Sequence, residues 1–389
     1  MFDHSEILLR ERISDEAKGG RMGSQPTVDD VARVAGVSRQ TVSNVMNTPH
    51  IVKPATRERV VAAISHLGYR PNASARRLRQ QKSSTIAIRL DPMRNGISGA
   101  VLDRFVHALT EHDDRRGMRV LLFTAESPEL EIDQIRALHD GADVDAFVLT
   151  ATFYGDPRTE WLIANEIPFV TFGRPWGVDD MNDPQHLWVD IDGRGGVAEA
   201  TTHLADQGAR RIGWIGWPRL SGTGDDRRQG WQDVMRARFG ETDAALDALS
   251  TETFDGVPAA TVAVSEMLAR GPLPDALVCA SDTLALGALI AASSAGHPRL
   301  PIIGFDNTPV AEALGLSSVE QRLEDVAAAA LELLLGSTGS TIVPRKIMAG
   351  EAHRLIAPAL VLREITGLSL APPPESPTPA ATHHRKETP

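Results

Sequence analysis

Seven short apolar runs punctuate the chain, at residues 86–90, 120–123, 146–149, 169–172, 211–217, 276–280 and 301–305. The segments between them are mostly of helix length. Strands that are apolar throughout must be covered on both faces, and strands joined through helices run parallel. The alternation therefore predicts an α/β body built on parallel sheets, and 389 residues leave room for more than one such unit.

In sheets of this kind, ligands collect beyond the carboxyl ends of the strands. Asp91 follows the first run, GRPW the fourth, PRLSGTGDDR the fifth, Ser281 and Asp282 the sixth, and Asp306 and Asn307 the seventh. Carboxylates and guanidinium groups bond adjacent hydroxyls in pairs, and an aromatic face packs on the C–H face of a sugar ring. A cleft for a polyhydroxylated ligand is expected. All six tryptophans fall between residues 161 and 231. Trp176 and Trp217 stand at strand ends where they can stack on sugar, whereas Trp214 alternates with its neighbours as a core residue does. The residues alone leave Asp282 open between a helix N-cap and a ligand contact.

A different kind of sequence precedes this body. Thr27 followed by Asp30 resembles a capping box and opens a helix through Ala35; Gly36 breaks it, and Ser38 can cap the next. On that second helix Val42, Val45 and Met46 make a narrow apolar stripe. The other face carries Arg39, Gln40, Thr41, Ser43, Asn44 and Asn47, and no carboxylate. A third helix has Pro54 at its first position and Gly68 just past its end, with Val60, Ile64 and Leu67 as its buried stripe. Two short helices around a glycine turn, then a third, predict a helix-turn-helix domain. The exposed N-terminal residues of its second helix meet base edges in the DNA major groove, where Arg pairs with guanine and Gln or Asn with adenine. Arg39, Gln40 and Asn44 are those chemistries in that place.

Charge separates the two parts. The net −11 of the whole chain hides ten Lys or Arg against three Asp or Glu over residues 25–84, a net of +7. The remainder therefore carries −18, the difference between −11 and +7. A small basic module on a large acidic body is the footprint of localised phosphate binding.

These residues carry a family resemblance. TVDDVARVAGVSRQTVSNVMN, then TRERVVAAISHLGYRPNASARRLR, resembles the DNA-binding head and hinge of LacI/GalR (lactose/galactose-repressor) family regulators, without gaps from Thr27 to about Leu78. The pattern continues through VDIDGRGG, SDTLALGAL and IIGFDNTP to ALVLREITG. The resemblance implies that Arg39, Gln40 and Asn44 read bases. Thr27, Ser38, Thr41, Ser43, Asn47, Thr56, Tyr69 and Asn72 are then backbone or supporting contacts. It also implies that NASARRL, with Ala75 among its DNA contacts, forms a hinge helix in the minor groove. There Leu78 and its dimer mate wedge open a base step, and Arg76, Arg77 and Arg79 supply the cationic flanks a wedge requires. Lys53 stands where the family commonly has a helix-capping Ser, which loses a cap but adds a phosphate-seeking charge.

For the body, the resemblance implies two lobes like those of periplasmic binding proteins, closing over an effector. Arg227 and Asp306 match the effector-binding Arg and Asp of family members. Asp91, Ile97, Ser98, Thr223, Ser281 and Gln321 fall at pocket-lining positions, beside Trp176, Trp217 and Asp282. Gly173 replaces an acidic pocket residue of some sugar-binding members. FGRPWG, WVDIDG and SGTGDDRR look like actinobacterial members that sense plant-derived oligosaccharides, and a cellobiose-like β-glucoside is the first candidate effector.

The expected order is a disordered extension over 1–24, the helix-turn-helix over 25–70, and hinge helix with linker over 71–84. The N-terminal lobe is expected over 85–184 with 318–345, the C-terminal lobe over 185–317 with 346–368, and a disordered tail over 369–389. The three lobe crossings then fall near Pro184, Ser317 and Lys346, and helix 99–109 is the candidate dimer interface. The expected protein is a cytoplasmic, homodimeric repressor that holds double-stranded operator DNA and is released by a small effector, an oligosaccharide. A corepressor-dependent regulator sensing a nucleobase or phosphorylated metabolite is the alternative.

Other classes fit poorly. Neither metal nor cofactor is expected: Cys279 is the single cysteine, and the twelve histidines show no HExxH spacing. Gly222-Thr-Gly224 lacks the third glycine of a phosphate loop, and no Ser occupies a GxSxG elbow, so no catalysis is expected. The opening residues are charged throughout rather than signal-like, and the apolar window 276–296 is mostly Ala, Ser and Gly, too weak for a membrane span. A stand-alone sugar-binding module is disfavoured by the basic head.

Overall fold

The structure, a computed structural model, describes residues 26–69, 83–90, 99–114, 118–335 and 352–363. The chain divides into two units between Lys82 and Ser83. The first holds α1 (Val28–Ala35), α2 (Arg39–Asn47), a 3₁₀ turn (Pro49–Ile51) and α3 (Pro54–Leu67). Thr27 and Asp30 complete the capping box of α1. Gly36 and Gly68 end α1 and α3 at φ 64° and 62°, left-handed values that a Cβ would penalise. The resulting core is Val31, Ala32, Ala35, Val42, Val45, Val60 and Ala63, with Met46, Ile64, Leu67 and Tyr69 packed on it. The stripes expected on α2 and α3 thus face inward.

The second unit contains two sheets. The first lobe takes β1 (Thr85–Leu90), β2 (Arg119–Thr124), β3 (Ala146–Leu149), β4 (Phe169–Phe172) and β5 (Trp188–Ile191). Their crossovers are α4 (Gly99–Asp114), α5 (Pro128–Asp140) and α6 (Pro157–Ala164). The second lobe runs through α7 (Gly193–Asp206), β6 (Ile212–Gly216), α8 (Thr223–Phe239), α9 (Asp243–Ala248), β7 (Ser250–Glu252) and α10 (Val257–Arg270). It continues with β8 (Ala276–Cys279), α11 (Asp282–Ser294), β9 (Ile302–Phe305), α12 (Pro309–Leu314) and β10 (Ser317–Glu320). Then come α13 (Leu323–Leu335), β11 (His353–Ile356) and β12 (Ala359–Val361). Strand order is β11-β5-β4-β3-β1-β2 in one sheet and β12-β10-β9-β8-β6-β7 in the other. All pairings are parallel except β10 with β12.

The lobe boundaries differ from those expected. Residues 188–191 form β5, paired with β4 through Thr171–Trp188 and Phe172–Val189, so the first crossing comes at Asp192 rather than near Pro184. Burying Trp188, Val189 and Ile191 against the first sheet requires that strand to stay there. Residues 317–320 pair with β9, and the chain returns to the first lobe after Glu320, where α13 packs on α4. The third crossing lies at Ala357-Pro358, because residues 353–356 pair with β5 and belong to the first lobe. All three crossings therefore join the β5/β11 side of one sheet to the β10/β12 side of the other. The cleft hinges at those edges and opens toward β2 and β7.

Candidate functional site

On α2, the expected base-reading side chains stand free of the core. Ser38 is the N-cap: its Oγ accepts the Thr41 N–H at 3.2 Å and meets Thr41 Oγ1 at 2.9 Å. These two hydroxyls therefore anchor the N-terminal end of α2. Arg39 Nε lies 3.0 Å from Asp29 Oδ1 with both side chains exposed, a pairing that water competes with and that DNA can displace. Gln40 Nε2 donates to Asn44 Oδ1 at 3.0 Å. One turn of helix thus aligns two amides and leaves an acceptor and donors facing outward, the complement of adenine's N6–H and N7. Ser43 flanks this pair half-buried, as does Thr56 in the first turn of α3, while Asn47 closes α2. Thr27 is an α1 cap, and its hydrogen bonds are the main cause holding the Asp30 carboxyl down at about 2. Lys53 offers α3 no side-chain cap bond. Asn72, Ala75 and Leu78 lie outside the described residues. Five of the ten module cations, Arg70, Arg76, Arg77, Arg79 and Lys82, lie there too.

The cleft is built from the carboxyl ends of both sheets. Arg227, on α8, is buried; its Nη1 donates to Ala280 O at 2.6 Å and stands 3.7 Å from Asp306 Oδ1. Its guanidinium lies over the Phe305 ring at 3.6 Å and 5.3 Å from the Trp217 ring centre. Asp306 is delivered by a strained turn, with φ 112° followed by Asn307 at 50°. Arg363, bonding Asn307 Oδ1 at 2.6 Å and Leu316 O at 2.9 Å, holds that turn, and Gln321 donates to Asp306. Burial, opposed by Arg227, pushes the Asp306 carboxyl up to about 8. Burial likewise disfavours the charge of Arg227, which as an arginine keeps it.

Ser281 and Trp217 converge on a residue not foreseen. Ser281 Oγ donates to Asp255 Oδ1 at 2.6 Å, and Trp217 Nε1 reaches the same oxygen at 3.2 Å. Ser281 also caps α11. Asp282 is engaged within the body: Oδ1 accepts from Ser318, and Oδ2 accepts from both the N–H and the hydroxyl of Thr308. With both oxygens occupied, its carboxylate clasps the β9–α12 loop onto β10. Thr223 opens α8, half-buried. Asp91, Ile97 and Ser98 lie outside the described residues.

The first lobe contributes Arg174 and Trp176. Arg174 Nε donates to Asp190 Oδ2 at 2.8 Å in its own lobe, and Nη2 donates to Asp226 Oδ2 at 2.6 Å across the cleft. Burial opposes its charge, yet the two carboxylates outweigh burial and hold Arg174 above the usual range. Trp176 lies beneath it at 4.6 Å and against Gly222 of the other lobe, where a Cβ would come within 2.5 Å of the ring. A side chain at residue 173 would meet Thr152 Oγ1 at 2.4 Å, with φ 126°. Both the space and the backbone therefore require glycine at this position. The buried Trp176 Nε1, Ser221 Oγ and Arg227 Nε have no protein partner. Buried polar atoms are rarely left so, and three around one cleft mark it as a candidate ligand site. Trp214, stacked on Trp231, is core.

A basic helix-turn-helix unit, followed in the chain by a two-lobed body with a polar, preorganised cleft, defines a DNA-binding protein whose body binds a small molecule. The family model for bacterial regulatory proteins of the lacI family matches residues 27–72, and that for the periplasmic binding protein-like domain matches 201–365. The HTH-type transcriptional regulator CelR of Thermobifida fusca is 34% identical over 345 residues, 85% of this chain and 97% of that one. Catabolite control protein A of Staphylococcus epidermidis is 30% identical over 314 residues, 79% and 91% of the two chains. This chain belongs to the LacI family of transcriptional regulators. A solved transcriptional regulator CelR–cellobiose complex matches with TM-score 0.63 and 30% identity, covering 87% of this chain and 99% of that one. The lac repressor dimer bound to operator and anti-inducer shares the fold, with TM-score 0.72 at 23% identity over 88% and 99%. Among the described residues no helix is long and apolar enough to cross a membrane.

Proposed function

We propose that the chain is a dimeric, non-enzymatic repressor of sugar-utilisation genes that acts in the cytoplasm and leaves its operator on binding a neutral oligosaccharide. Arg39, Gln40 and Asn44 read bases, Leu78 wedges the minor groove, and the outward face of α4 supplies dimer contact. Arg227, Asp306, Gln321, Trp217 and Trp176 hold the effector, with Asp91, Ile97 and Ser98 beside them.

The observation that carries the effector class is the charge of the cleft. Among the described residues, Asp190 and Asp226 share Arg174, Asp306 stands beside Arg227, and Asp255 adds a further carboxylate that Trp217 and Ser281 bond, so acidic groups outnumber the two arginines. The α8 N-terminus, the natural phosphate site, already has Asp225 bonded to the Gly222 N–H at 3.1 Å and Asp226 one residue on. A phosphorylated metabolite meets repulsion there, whereas hydroxyls suit both the carboxylates and the orphaned N–H and O–H groups. The solved cellobiose complex of CelR supports a β-glucoside in particular.

Lobe movement couples the two ends, because an effector shifts only an equilibrium whose two states it binds unequally. The test is fluorescence anisotropy of the full chain on a labelled fragment upstream of its own gene, at fixed salt, with and without cellobiose, other disaccharides and sugar phosphates. Release by a neutral disaccharide but not by its phosphate is expected. Release by phosphates alone overturns the effector class, and absence of sequence-specific binding overturns the regulator.

A further inference from the structure

We propose that Phe254 and Leu220 form an outer sugar subsite at the mouth of the cleft, taking the next ring of an oligosaccharide whose first units fill the interior. This rests on the sugar reading above. Phe254 and Leu220 are the most exposed large apolar side chains among the described residues, at 79% and 75%. They do not sit at arbitrary places on the surface. Leu220 is in the loop after β6 and Phe254 in the loop after β7, adjacent strands whose carboxyl ends face the cleft.

The two loops are tied together and to the site. Thr253 N donates to Gly216 O at 2.9 Å, and Arg219 Nε donates to Glu252 at 2.7 Å. Asp255, the neighbour of Phe254, accepts from Trp217 and Ser281. Because β7 is the sheet edge opposite the crossings, this loop stands at the open end of the cleft. A linear ligand with its inner end between Arg227 and Asp306 therefore emerges past Trp217 and Asp255 onto Phe254. An exposed aromatic two residues past Glu252, whose carboxylate Arg219 bonds, offers what a pyranose needs, an apolar platform with charged hydrogen-bonding groups nearby.

The experiment is calorimetric titration of the full-length protein with the β-1,4-linked glucose di-, tri- and tetrasaccharides, beside Phe254→Ala, Phe254→Trp and Leu220→Asn. Asn suits the left-handed backbone at Leu220, φ 67°, so that variant removes apolar surface without adding strain. The trisaccharide is expected to bind the parent about five- to tenfold tighter than the disaccharide, the scale of one stacked ring. Phe254→Ala removes that gain while disaccharide affinity stays within about twofold. Leu220→Asn reduces the gain, and Phe254→Trp keeps it. A length gain that survives Phe254→Ala, or a parent with no length gain, overturns the subsite alone. Loss of the dimer in Phe254→Ala, read by sedimentation, also overturns it by assigning Phe254 to a second copy of the chain. Failure of every oligosaccharide to bind the parent overturns the sugar reading with it.

Discussion

The recognition face of α2 and the floor of the cleft are both polar, yet they are held in opposite ways. On the polar face of α2, Gln40–Asn44 and Arg39–Asp29 are half-buried to exposed pairs made within a turn or with the neighbouring helix. Water satisfies whatever the protein does not. In the cleft Arg227, Asp306 and Trp176 are more than nine-tenths buried, and Arg227 and Trp176 have atoms with no partner. The difference teaches that the polar face of α2 is held by local bonds open to water, whereas the cleft, with its turn at Asp306 and its unpartnered buried atoms, is set beforehand at the expense of body stability. Substitutions on α2 should change binding alone. Substitutions in the cleft should move stability and binding together.

The strongest way to break this contrast is Arg227→Ala. Losing two charge-assisted hydrogen bonds to an effector costs ~4 kcal/mol, about a thousandfold in affinity. Operator affinity without effector should stay within about twofold, because the head is a separate unit. Anisotropy on operator DNA and calorimetry with effector measure the two independently. A parallel fall in operator binding would mean that the two regions are not separable.

Asp306 gives the contrast a pH signature. Its carboxyl is held at about 8 against 3.8, so the folded body keeps a proton that the unfolded chain releases above about pH 4. The stability from this group is fully present below pH 4, declines as pH rises, and is lost above about 8. Arg227, Gln321, Asp282 and Asp255 are the groups around it. Asp306→Asn stays neutral throughout, so its advantage over the parent should grow from pH 5 to pH 8, reaching roughly 3 kcal/mol by denaturant titration. A difference independent of pH would mean that Asp306 is already ionised. Asp30 in the head has the reverse sign: its pKa of about 2 stabilises above pH 4, and that contribution disappears as pH falls toward 2.

The same contrast explains how much could be read from the sequence. Head determinants are local: Thr27 with Asp30, Ser38 with Thr41, and Gly36 and Gly68 at helix ends all lie within four residues of what they act on. The apolar runs likewise marked seven strands, six of them largely buried and the seventh, β2, a half-exposed sheet edge that is apolar enough to show. Strands β5, β7, β10, β11 and β12 escaped because they are short, lie at edges or beside the crossings, and carry polar residues such as Asp190, Glu252 and Arg354. Missing β7 meant missing Asp255, which follows it. Arg174 was visible only as a residue of GRPW, because its carboxylates stand 16 and 52 positions away. The strand-end rule placed Arg227 in PRLSGTGDDR and Asp306 after the seventh run, but their pairing came from the family resemblance, since burial and backbone strain leave no local pattern. Asp282 was open between two roles, and its partners Thr308 and Ser318 are distant in sequence.

Smaller effects sharpen the head side. Gln40→Ala and Asn44→Ala should each cost about 2 kcal/mol of operator affinity and relax preference at the base pair they face. Thermal stability should stay within about 0.5 kcal/mol, as for exposed surface changes. Because Gln40 and Asn44 are bonded to each other, the double variant should lose less than the sum of the two. Additive losses would show that they read separate bases as independent side chains.

The smallest effect tests whether the head, too, gives up stability for function. Lys53 precedes Pro54 at the N-cap of α3 with extended backbone and no side-chain bond to the helix. The Thr56 N–H already uses the Lys53 carbonyl at 3.0 Å, which leaves a hydroxyl at position 53 the Ala55 N–H to accept. Lys53→Ser should therefore stabilise the head by about 0.5–1 kcal/mol. If the ammonium meets a phosphate, operator affinity should fall for every sequence alike, and the slope of log affinity against log salt should flatten by about one. A stabilised head with an unchanged slope would leave Lys53 as an unfilled cap with no contact to DNA. A flattened slope would mean that the head gives up a helix cap for a charge, as the cleft gives up stability for a preset effector site.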